Sequence, residues 1–365
     1  MFYISNMNPN PFFFFGSADH HRDLLSRPQE ESKIQQFVKN AAKVRIQGDR
    51  RVGKTTLLRK SLHRIPHLYV DFSAVKTPEG CVDRFNASLH SSKWGADLLN
   101  TSIKLGALGE FGISIQKPSF QNDPFIGLEV LLNQVESSKI EAVVIDEFQD
   151  ILSLPDPNAW LWRLRSIIQN HSKTAYFFTG SIQSALHSLL DGNKAAFHKQ
   201  TIQLQIDPIS LEQLGPWIKR KLQKSDYTLE EGVLTYIWEM TSGITGDIQK
   251  VFYYLWDLQP KEKKISRPTI EQTLFTILQA DHDSNLRIIR SLTGSQVSVA
   301  RAIARFPQEK LYSSKIKSES RIHNQGTIKV AIDALQKKGI FIESKSGNLR
   351  FDDPFFKILM AHYTV

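Results

Sequence analysis

A short stretch in the first sixth of the chain has the residue types needed to hold the phosphates of a nucleotide. It consists of Gly48, Asp49, Arg50, Arg51, Val52, Gly53, Lys54 and Thr55, followed by Thr56. Glycines let backbone N–H groups curl around an anion, and the start of the following helix favours negative charge. Lys54 would reach the β- and γ-phosphates, and the Thr55 hydroxyl would bind Mg²⁺. We therefore predict that residues 48–56 bind a nucleotide.

Two acidic residues end a second segment of interest, the apolar run at residues 142–145. An uninterrupted apolar run is typical of a strand that is buried on both faces. We predict that Asp146, at the strand end, completes the Mg²⁺ site and that Glu147 polarises the attacking water. A strand that ends in two acids is common, so this prediction depends on the phosphate loop. Together the two motifs predict an ATPase that uses ATP and Mg²⁺.

ATP is expected rather than GTP as the nucleotide. Guanine specificity usually needs an Asn-Lys-x-Asp segment, but here Asn193 and Lys194 are followed by two alanines. After the next apolar strand, Thr179 or Ser181 would lie beside the two acids and could contact the γ-phosphate. Ser181 could instead cap the helix that follows, because serine is a favoured N-cap. Both interpretations of Ser181 stay open.

The segments around these motifs predict the elements that position them. Strands are expected at residues 43–47, 67–72, 140–148, 174–179 and 201–206, and helices at residues 28–41, 54–63, 78–91, 129–137, 158–170 and 182–190. Strands that alternate with helices predict an α/β fold with a parallel sheet. Beyond residue 210 the pattern becomes almost wholly helical, and residues 285–351 end in a hairpin-like segment. The chain is therefore expected to contain more than one domain, as its 365 residues also indicate.

Positive charge is concentrated near the C-terminus. Residues 285–350 contain 13 Lys or Arg and 4 Asp or Glu, a balance of +9, which equals the formal net charge of the whole chain. The rest of the chain is therefore about neutral. A basic block of this kind suggests a polyanion partner such as DNA, and the alternative is a solvated basic surface.

A helix and a hairpin are predicted within this basic block. Residues 325–338 form the helix, with Ile328, Ala331, Ile332 and Leu335 at the spacing of an inward face. The hairpin turns at residues 346–348, and helix followed by hairpin is the order of a winged helix-turn-helix. The candidate DNA contacts are Gln325, Thr327, Lys329, Lys345 and Arg350. Alternatively the module binds a partner protein, since Asp333 on the exposed face is unfavourable for DNA.

Composition excludes several other classes of protein. Apolar residues make up 41% and charged residues 23%, as in ordinary globular proteins. A single cysteine, Cys81, excludes an internal disulfide and fits a reducing compartment. No apolar run reaches the roughly 18 residues of a membrane span, and the first residues lack the basic segment of a secretory signal. A cytoplasmic protein is therefore expected.

Several of these segments together resemble a known family. The archaeal-type ATPases of the STAND branch of AAA-related P-loop proteins, which are similar to origin-recognition ATPases, share the patterns PFFFFG, SRPQEESKIQQFV, GDRRVGKTTLL, VVIDEFQ, FFTGS and DPIS. The resemblance covers roughly residues 10–360. It implies a five-stranded nucleotide domain at residues 1–207, a helical lid at 208–283 and a winged helix at 284–365. It also places Arg27 and the aromatic N-terminal segment near the adenine.

This sequence departs from the family pattern at two places. Many members carry an arginine before the fifth strand, where this chain has Lys199, so an arginine finger stays open between Lys199, Arg163 and Arg165. The lid usually carries Gly-x-Pro, whereas Asp247 ends the corresponding segment here. Neither departure touches the phosphate loop or the two acids.

The leading hypothesis is an ATP-driven conformational switch that acts with DNA through the winged helix. The alternative is a signalling or assembly module of a defence or mobile-element system, whose winged helix binds a partner protein. A repressor-like protein that uses ATP only as a ligand is a third hypothesis. Further copies of the chain are an additional candidate partner, and a membrane is not expected.

Overall fold

The computed structural model describes residues 10–12, 24–95, 123–180, 196–197, 199–223, 226–258, 263–343 and 349–363. The chain divides into two compact units. We call Ser17–Pro208 the sheet unit, and Met1–Gly16 together with Ile209–Val365 the helical unit. No helix in the described part of the chain is long and apolar enough to cross a membrane.

Five parallel strands form the centre of the sheet unit. They are β1 (Lys43–Gln47), β2 (His67–Asp71), β3 (Ala142–Asp146), β4 (Ala175–Thr179) and β5 (Ile202–Gln205), in the order β2-β3-β4-β1-β5. Every residue of β3 and β4 is buried, which explains their continuous apolar sequences. The α/β fold with a parallel five-stranded sheet, predicted from the sequence, is confirmed.

Helices connect these strands. They are α1 (Pro28–Lys39), α2 (Lys54–Leu62), α3 (Pro78–Ser91), α4 (Pro124–Glu136) and α5 (Pro157–Ile168), with a 3₁₀ helix at Phe148–Ser153 after β3. Proline at the first position and a side-chain cap begin three of them. The caps are Thr77 for α3, Asp123 for α4 and Asp156 for α5. Because the Asp123 cap starts α4 at Pro124, this helix is longer than the predicted 129–137.

The strand order brings the predicted motifs to one edge of the sheet. Strand β4 lies between β3 and β1, and the register pairs Ile145 with Phe178 and Ile46 with Thr179. Since all strands are parallel, the carboxyl ends of β3, β4 and β1 are neighbours. Ligands of open α/β sheets bind at this edge, where the strand order reverses.

Helices make up most of the helical unit. They are α6 (Leu211–Gln223), α7 (Val233–Met240), α8 (Thr245–Leu258), α9 (Arg267–Ala280), α10 (His282–Arg290), α11 (Gly294–Arg305), α12 (Ser314–Ser320), α13 (Gln325–Lys337) and α14 (Pro354–His362). Two-residue strands β6 (Thr228–Leu229) and β7 (Lys264–Ile265) pair with each other, as do β8 (Phe341–Glu343) and β9 (Leu349–Phe351).

The C-terminal part of this unit has the order of a winged helix. Helix α13 buries Ile328, Ala331, Ile332 and Leu335, the four residues predicted to face inward. The antiparallel pair β8 and β9 follows, and Phe341 lies opposite Phe351. Gly339 follows α13 with a φ of +69°, a left-handed conformation that a glycine adopts without strain. This conformation ends the helix.

An N-terminal segment packs in the helical unit. The Asn10 side-chain amide donates a hydrogen bond to the Tyr253 carbonyl at 3.1 Å, and the ring of Phe12 stacks on Phe252 with 5.1 Å between centroids. Phe12 is 1% exposed. Residues 10–12 thus lie in the aromatic core beside α8. The expected boundaries of the three domains, 1–207, 208–283 and 284–365, stay predictions.

Candidate nucleotide-binding site

The phosphate loop leaves β1 and enters α2 through two glycines. A Cβ on Gly48 would lie 2.4 Å from the Ile206 carbonyl oxygen, so only glycine lets the loop pass the segment after β5. Gly53 is the N-cap of α2 with a φ of +98°, a conformation that side chains rarely adopt. Since glycine has no capping side chain, the first N–H groups of α2 keep their capacity to bind an anion.

Lys54 is the first residue of α2, and its side chain folds back over the loop. Its ammonium donates hydrogen bonds to the carbonyls of Gly48 and Asp49, both at 3.0 Å, and the residue is 8% exposed. Burial lowers the pKa of the Lys54 ammonium, while the charges of Glu147 and Asp146 oppose that shift. A buried cation at the mouth of a glycine loop is suited to phosphate oxygens.

Thr55 and Asp146 meet between α2 and β3. The Thr55 hydroxyl donates a hydrogen bond to Asp146 Oδ2 at 2.9 Å, and the Glu147 N–H donates to Asp146 Oδ1 at 3.0 Å. The Tyr69 hydroxyl, on β2, donates to the same Oδ2. Asp146 is therefore held by α2 and β2, through residues 91 and 77 positions earlier in the chain, and by the N–H of the residue that follows it.

The donor set at Thr55 and Asp146 fits the predicted Mg²⁺. A hydroxyl and a carboxylate are hard oxygen ligands, and Mg²⁺ is usually bound by one or two such groups together with substrate phosphates. Among the described residues, no three His, Cys, Asp or Glu side chains cluster as a metal cage made only of protein would require. Thr55 and Asp146 therefore suit Mg²⁺ that binds together with a nucleotide rather than alone.

Glu147 follows Asp146 in a strained backbone conformation. Its φ is +50°, in the left-handed region that residues other than glycine seldom adopt. Its Oε2 accepts a hydrogen bond from the Gln149 side-chain amide at 2.5 Å. Strain of this kind persists where the surrounding structure fixes the residue, and it is frequent at active sites.

Thr179 ends β4 and is completely buried. Its hydroxyl has no hydrogen-bond partner among the described residues. A buried hydroxyl without a partner costs free energy unless a ligand or water supplies one. This geometry suits the predicted contact of Thr179 with a phosphate. Ser181 lies outside the described residues, so its two interpretations stay predictions.

Arg27 contacts the phosphate loop from the start of α1. Its guanidinium donates to the Val52 carbonyl at 3.3 Å and pairs with Glu30 at 3.6 Å. Burial lowers its pKa, and Glu30 opposes the shift. The predicted contact with adenine stays a prediction, because the described side-chain contacts of Arg27 are with the loop and with Glu30.

The remaining predicted loop residues surround these groups. Val52 is fully buried, Asp49, Arg51 and Thr56 are half-buried, and Arg50 is exposed. Sequence reasoning did not assign a role to Tyr69 or Gln149. No sequence pattern marks Tyr69, since tyrosine is common in strands such as β2. For Gln149 a signal existed, as it belongs to the Asp-Glu-Phe-Gln pattern that carries the family resemblance.

The predicted DNA contacts lie on the winged helix. Gln325, Thr327 and Lys329 are exposed on α13, whose N-cap Asn324 accepts from two N–H groups of the first turn. Arg350 is half-buried on β9, and Lys345 lies outside the described residues. The same helix exposes 69% of Val330 and also exposes Asp333.

Comparison with solved structures relates this architecture to known proteins. A Walker-type ATPase of Pyrococcus abyssi superposes with a TM-score of 0.67 at 17% identity, covering 96% of this chain and 99% of that one. The ORC1 protein of Aeropyrum pernix in complex with DNA gives 0.53 at 13% identity, covering 94% of each chain. The chain has the fold of AAA-related P-loop ATPases with a C-terminal winged helix.

A further structure agrees with this assignment of the fold. The ADP form of the ORC2 protein of Aeropyrum pernix gives a TM-score of 0.52 at 12% identity and covers 93% of this chain and 95% of that one. No protein-family model matches the sequence, and no curated protein is significantly similar to it. The fold expected from the family resemblance is therefore confirmed by structure rather than by sequence.

Proposed function

We propose that this protein binds ATP with Mg²⁺ and hydrolyses it. The observation that carries the proposal is the contact of the Thr55 hydroxyl with the Asp146 carboxylate at 2.9 Å, next to the buried Lys54 ammonium. These groups come from the start of α2 and the end of β3, and nothing in either segment alone requires them to meet. Their arrangement suits a nucleotide triphosphate and its metal ion.

Each side chain has a distinct task in this proposal. Lys54 and the N–H groups of residues 48–56 bind the β- and γ-phosphates. Thr55 and Asp146 would hold Mg²⁺, which neutralises charge that develops on the phosphate oxygens. Glu147 orients the attacking water and accepts its proton, and Thr179 donates a hydrogen bond to the γ-phosphate.

Two substitutions separate binding from hydrolysis. Lys54→Ala should abolish tight ATP binding, because it removes the cation in contact with the phosphates. Glu147→Gln should keep ATP affinity but lower kcat by about 100-fold or more, the usual effect of losing a general base. Nucleotide affinity by fluorescence titration and phosphate release by a coupled assay measure the two quantities.

Glu141→Gln is a matched control for the second substitution. Glu141 is an exposed acid that precedes the same strand, at the opposite edge of the sheet. Its substitution should leave both ATP affinity and kcat unchanged. Wild-type turnover by the Glu147→Gln protein would contradict the mechanism.

We further propose that the ATPase acts as a switch on DNA. The support comes from the exposed side chains of Gln325, Thr327 and Lys329 at the start of α13, within the basic C-terminal region. The N-terminal residues of such a helix contact bases and phosphates in helix-turn-helix proteins. The ORC1 protein, which has a similar fold, was solved in complex with DNA. ATP binding and hydrolysis would change the affinity for DNA.

Binding of labelled duplex DNA at several salt concentrations tests this switch. The wild type should bind with an affinity that falls steeply with salt and that differs between ATP, ADP and no nucleotide. In Lys54→Ala this nucleotide dependence should disappear. Lys329→Gln should reduce the slope of log affinity against log salt by about one, as expected for one phosphate contact. Lys39→Gln, at an exposed position of α1, is the matched control and should not change the slope.

A partner protein is the second candidate for the winged helix. The specific observation in its favour is Val330, which is 69% exposed on the outward face of α13 near Asp333. An apolar side chain and an acid on that face suit a protein surface better than a phosphate backbone. Absence of DNA binding in every nucleotide state, even at low salt, would favour this candidate.

A further inference from the structure

Gln149 is a buried amide beside the proposed catalytic glutamate. It lies in the 3₁₀ helix after β3 and is 5% exposed. Its Nε2 donates to Glu147 Oε2 at 2.5 Å and to Asp150 Oδ1 at 3.2 Å. Both hydrogens of the amide are thus engaged by carboxylates, and a hydrogen bond to a charged group is stronger than one between neutral groups.

The orientation of this amide follows from its neighbours. Exchanging the oxygen and nitrogen of Gln149 would place a carbonyl oxygen against two carboxylates with no hydrogen between them. The amide nitrogen must therefore face Glu147 and Asp150. Asp150 is itself fixed, because its Oδ2 accepts from the Ala74 N–H at 2.8 Å in the loop after β2.

The oxygen of Gln149 faces the end of β4. It has no hydrogen-bond partner among the described residues, and a Cβ added to Gly180 would lie only 2.0 Å from it. Gly180 directly follows Thr179, the residue at the end of β4 whose hydroxyl is buried. The Gln149 side chain therefore spans the gap between the acids that end β3 and the residues that end β4, and it fits there because residue 180 lacks a side chain.

We propose that Gln149 is a positioning residue for ATP hydrolysis, which holds the Glu147 carboxylate in place through its amide and is itself seated against Gly180. The inference rests on the proposed ATPase function. A general base must lie within hydrogen-bond reach of the water it activates, and a supporting shell fixes such groups to about half an ångström. The hydrogen bond to Oε2 restrains the position of the Glu147 carboxylate.

Gln149→Leu removes the hydrogen bonds and keeps most of the volume. We expect kcat for ATP hydrolysis to fall about 10- to 100-fold, by analogy with the loss of residues that orient metal ligands. ATP affinity should change by less than about twofold, because Lys54 and the phosphate loop are untouched. A purely structural role would instead lower the thermal unfolding temperature and weaken ATP binding together with kcat.

Gly180→Ala is a second, independent variant that leaves Gln149 in the chain. The new methyl group would collide with the far end of a flexible side chain, so the amide should move aside without a large cost in stability. We expect kcat to fall as in Gln149→Leu, with ATP affinity and the unfolding temperature near wild type. This variant also keeps the test decisive if Gln149→Leu fails to fold.

Two double variants identify the route of the effect. In a Gln149→Ala background the collision is gone, so adding Gly180→Ala should cause no further loss of kcat. In a Glu147→Gln background, Gln149→Leu should likewise cause no further loss, because a positioning residue acts only through the group it positions. Independent, multiplicative losses in either pair would overturn the inference.

The remaining outcomes separate this inference from the proposed function. Wild-type kcat in both Gln149→Leu and Gly180→Ala, combined with a slow Glu147→Gln protein, would overturn the role of Gln149 and leave the ATPase proposal intact. A wild-type protein without ATP turnover, or a Glu147→Gln protein with full turnover, would overturn both.

Discussion

Asp146 shows how much of this site depends on single hydrogen bonds. Its Oδ2 accepts from the hydroxyls of Thr55 and Tyr69, which lie on α2 and β2. Burial raises the pKa of the Tyr69 hydroxyl, and the Asp146 charge raises it further, so the hydroxyl remains a donor at every physiological pH. The guanidinium of Arg59 lies over the Tyr69 ring, 4.6 Å from its centre, and fixes the ring in turn.

Tyr69→Phe should therefore lower the apparent affinity for Mg²⁺ and preserve the packing of the ring. The variant removes one donor that orients the Asp146 carboxylate and retains the ring. We expect the Mg²⁺ concentration for half-maximal ATP hydrolysis to rise about tenfold or more, the usual cost of losing a residue that orients a metal ligand. The measurement is ATPase rate against free Mg²⁺ at saturating ATP.

Tyr236→Phe, in the helical unit, is the control for this substitution. Tyr236 lies on α7, and the Arg267 guanidinium lies 4.5 Å from the centre of its ring. Tyr236 therefore has a cation contact like that of Tyr69 but does not bind Asp146. Removing the Tyr236 hydroxyl should leave the Mg²⁺ dependence unchanged. An unchanged Mg²⁺ dependence in Tyr69→Phe would show that Thr55 and the Glu147 N–H suffice to orient Asp146.

Residue types and spacing predicted Lys54, Thr55, Asp146 and Glu147 as a group, because a phosphate loop and a strand ending in acids are local patterns. Tyr69 and Gln149 could not be assigned in this way. Tyr69 reaches Asp146 only through the pairing of β2 with β3, across 77 positions of sequence. The task of Gln149 depends on where the end of β4 lies, which no short pattern encodes.

At the scale of elements, a polar cluster ties α4 to β4 at the edge of the sheet away from the phosphate loop. His171 Nδ1 accepts from the Tyr176 hydroxyl at 2.7 Å, and its Nε2–H donates to Asn133 Oδ1 at 3.1 Å. The acceptor role of Nδ1 requires the neutral imidazole, whereas the Nε2–H contact forms with the neutral and the protonated ring alike. Burial lowers the pKa of His171; the charge of Glu136 opposes this shift, and that of Lys43 adds to it.

This cluster should make the free energy of unfolding depend on pH. In the unfolded chain His171 has an ordinary pKa of about 6.5 and binds a proton more readily than in the folded protein. The stabilisation by the neutral imidazole is therefore complete above about pH 6.5 and is lost as the pH falls towards the lower pKa of the folded state. Urea unfolding between about pH 5.5 and pH 7.5 measures it.

His171→Gln removes the titrating group and is compared with wild type over the same pH range. The difference in unfolding free energy between the two proteins should grow smaller as the pH falls. A pH-independent difference for His171→Gln would show that the imidazole is not held neutral.

Element boundaries were predictable where the chain carries local signals. Strand β1 and helix α3 have the predicted bounds, residues 43–47 and 78–91, because the glycine loop ends the strand and a Thr-Pro pair begins the helix. The start of α4 was missed, although Asp123 and Pro124 give the same kind of local signal as the start of α3. In the winged helix, the spacing of Ile328, Ala331, Ile332 and Leu335 predicted the buried face correctly.

At the scale of the whole molecule, the hydrophobic pattern of the sequence does not predict the order of the strands in the sheet. Strand β1 pairs with β4 and β5, so that Val44 lies opposite both Phe177 and Ile202, more than 130 positions away. Alternation of strands and helices indicates a parallel sheet but not which strands are neighbours. The place of Phe12 in the helical unit was equally hidden, since an isolated aromatic segment carries no sign of its partner.

The packing of Phe12 has a consequence for the order of events on the ribosome. The sheet unit is encoded in one block and can fold once residue 208 has emerged. The core around Phe12 needs Phe252 and Trp256, some 240 positions later, so Phe12 lacks these partners until both residues have been synthesised. Contacts between such distant positions form slowly, and aromatic segments that wait exposed are prone to aggregate. We therefore expect the helical unit to complete its core later in synthesis than the sheet unit.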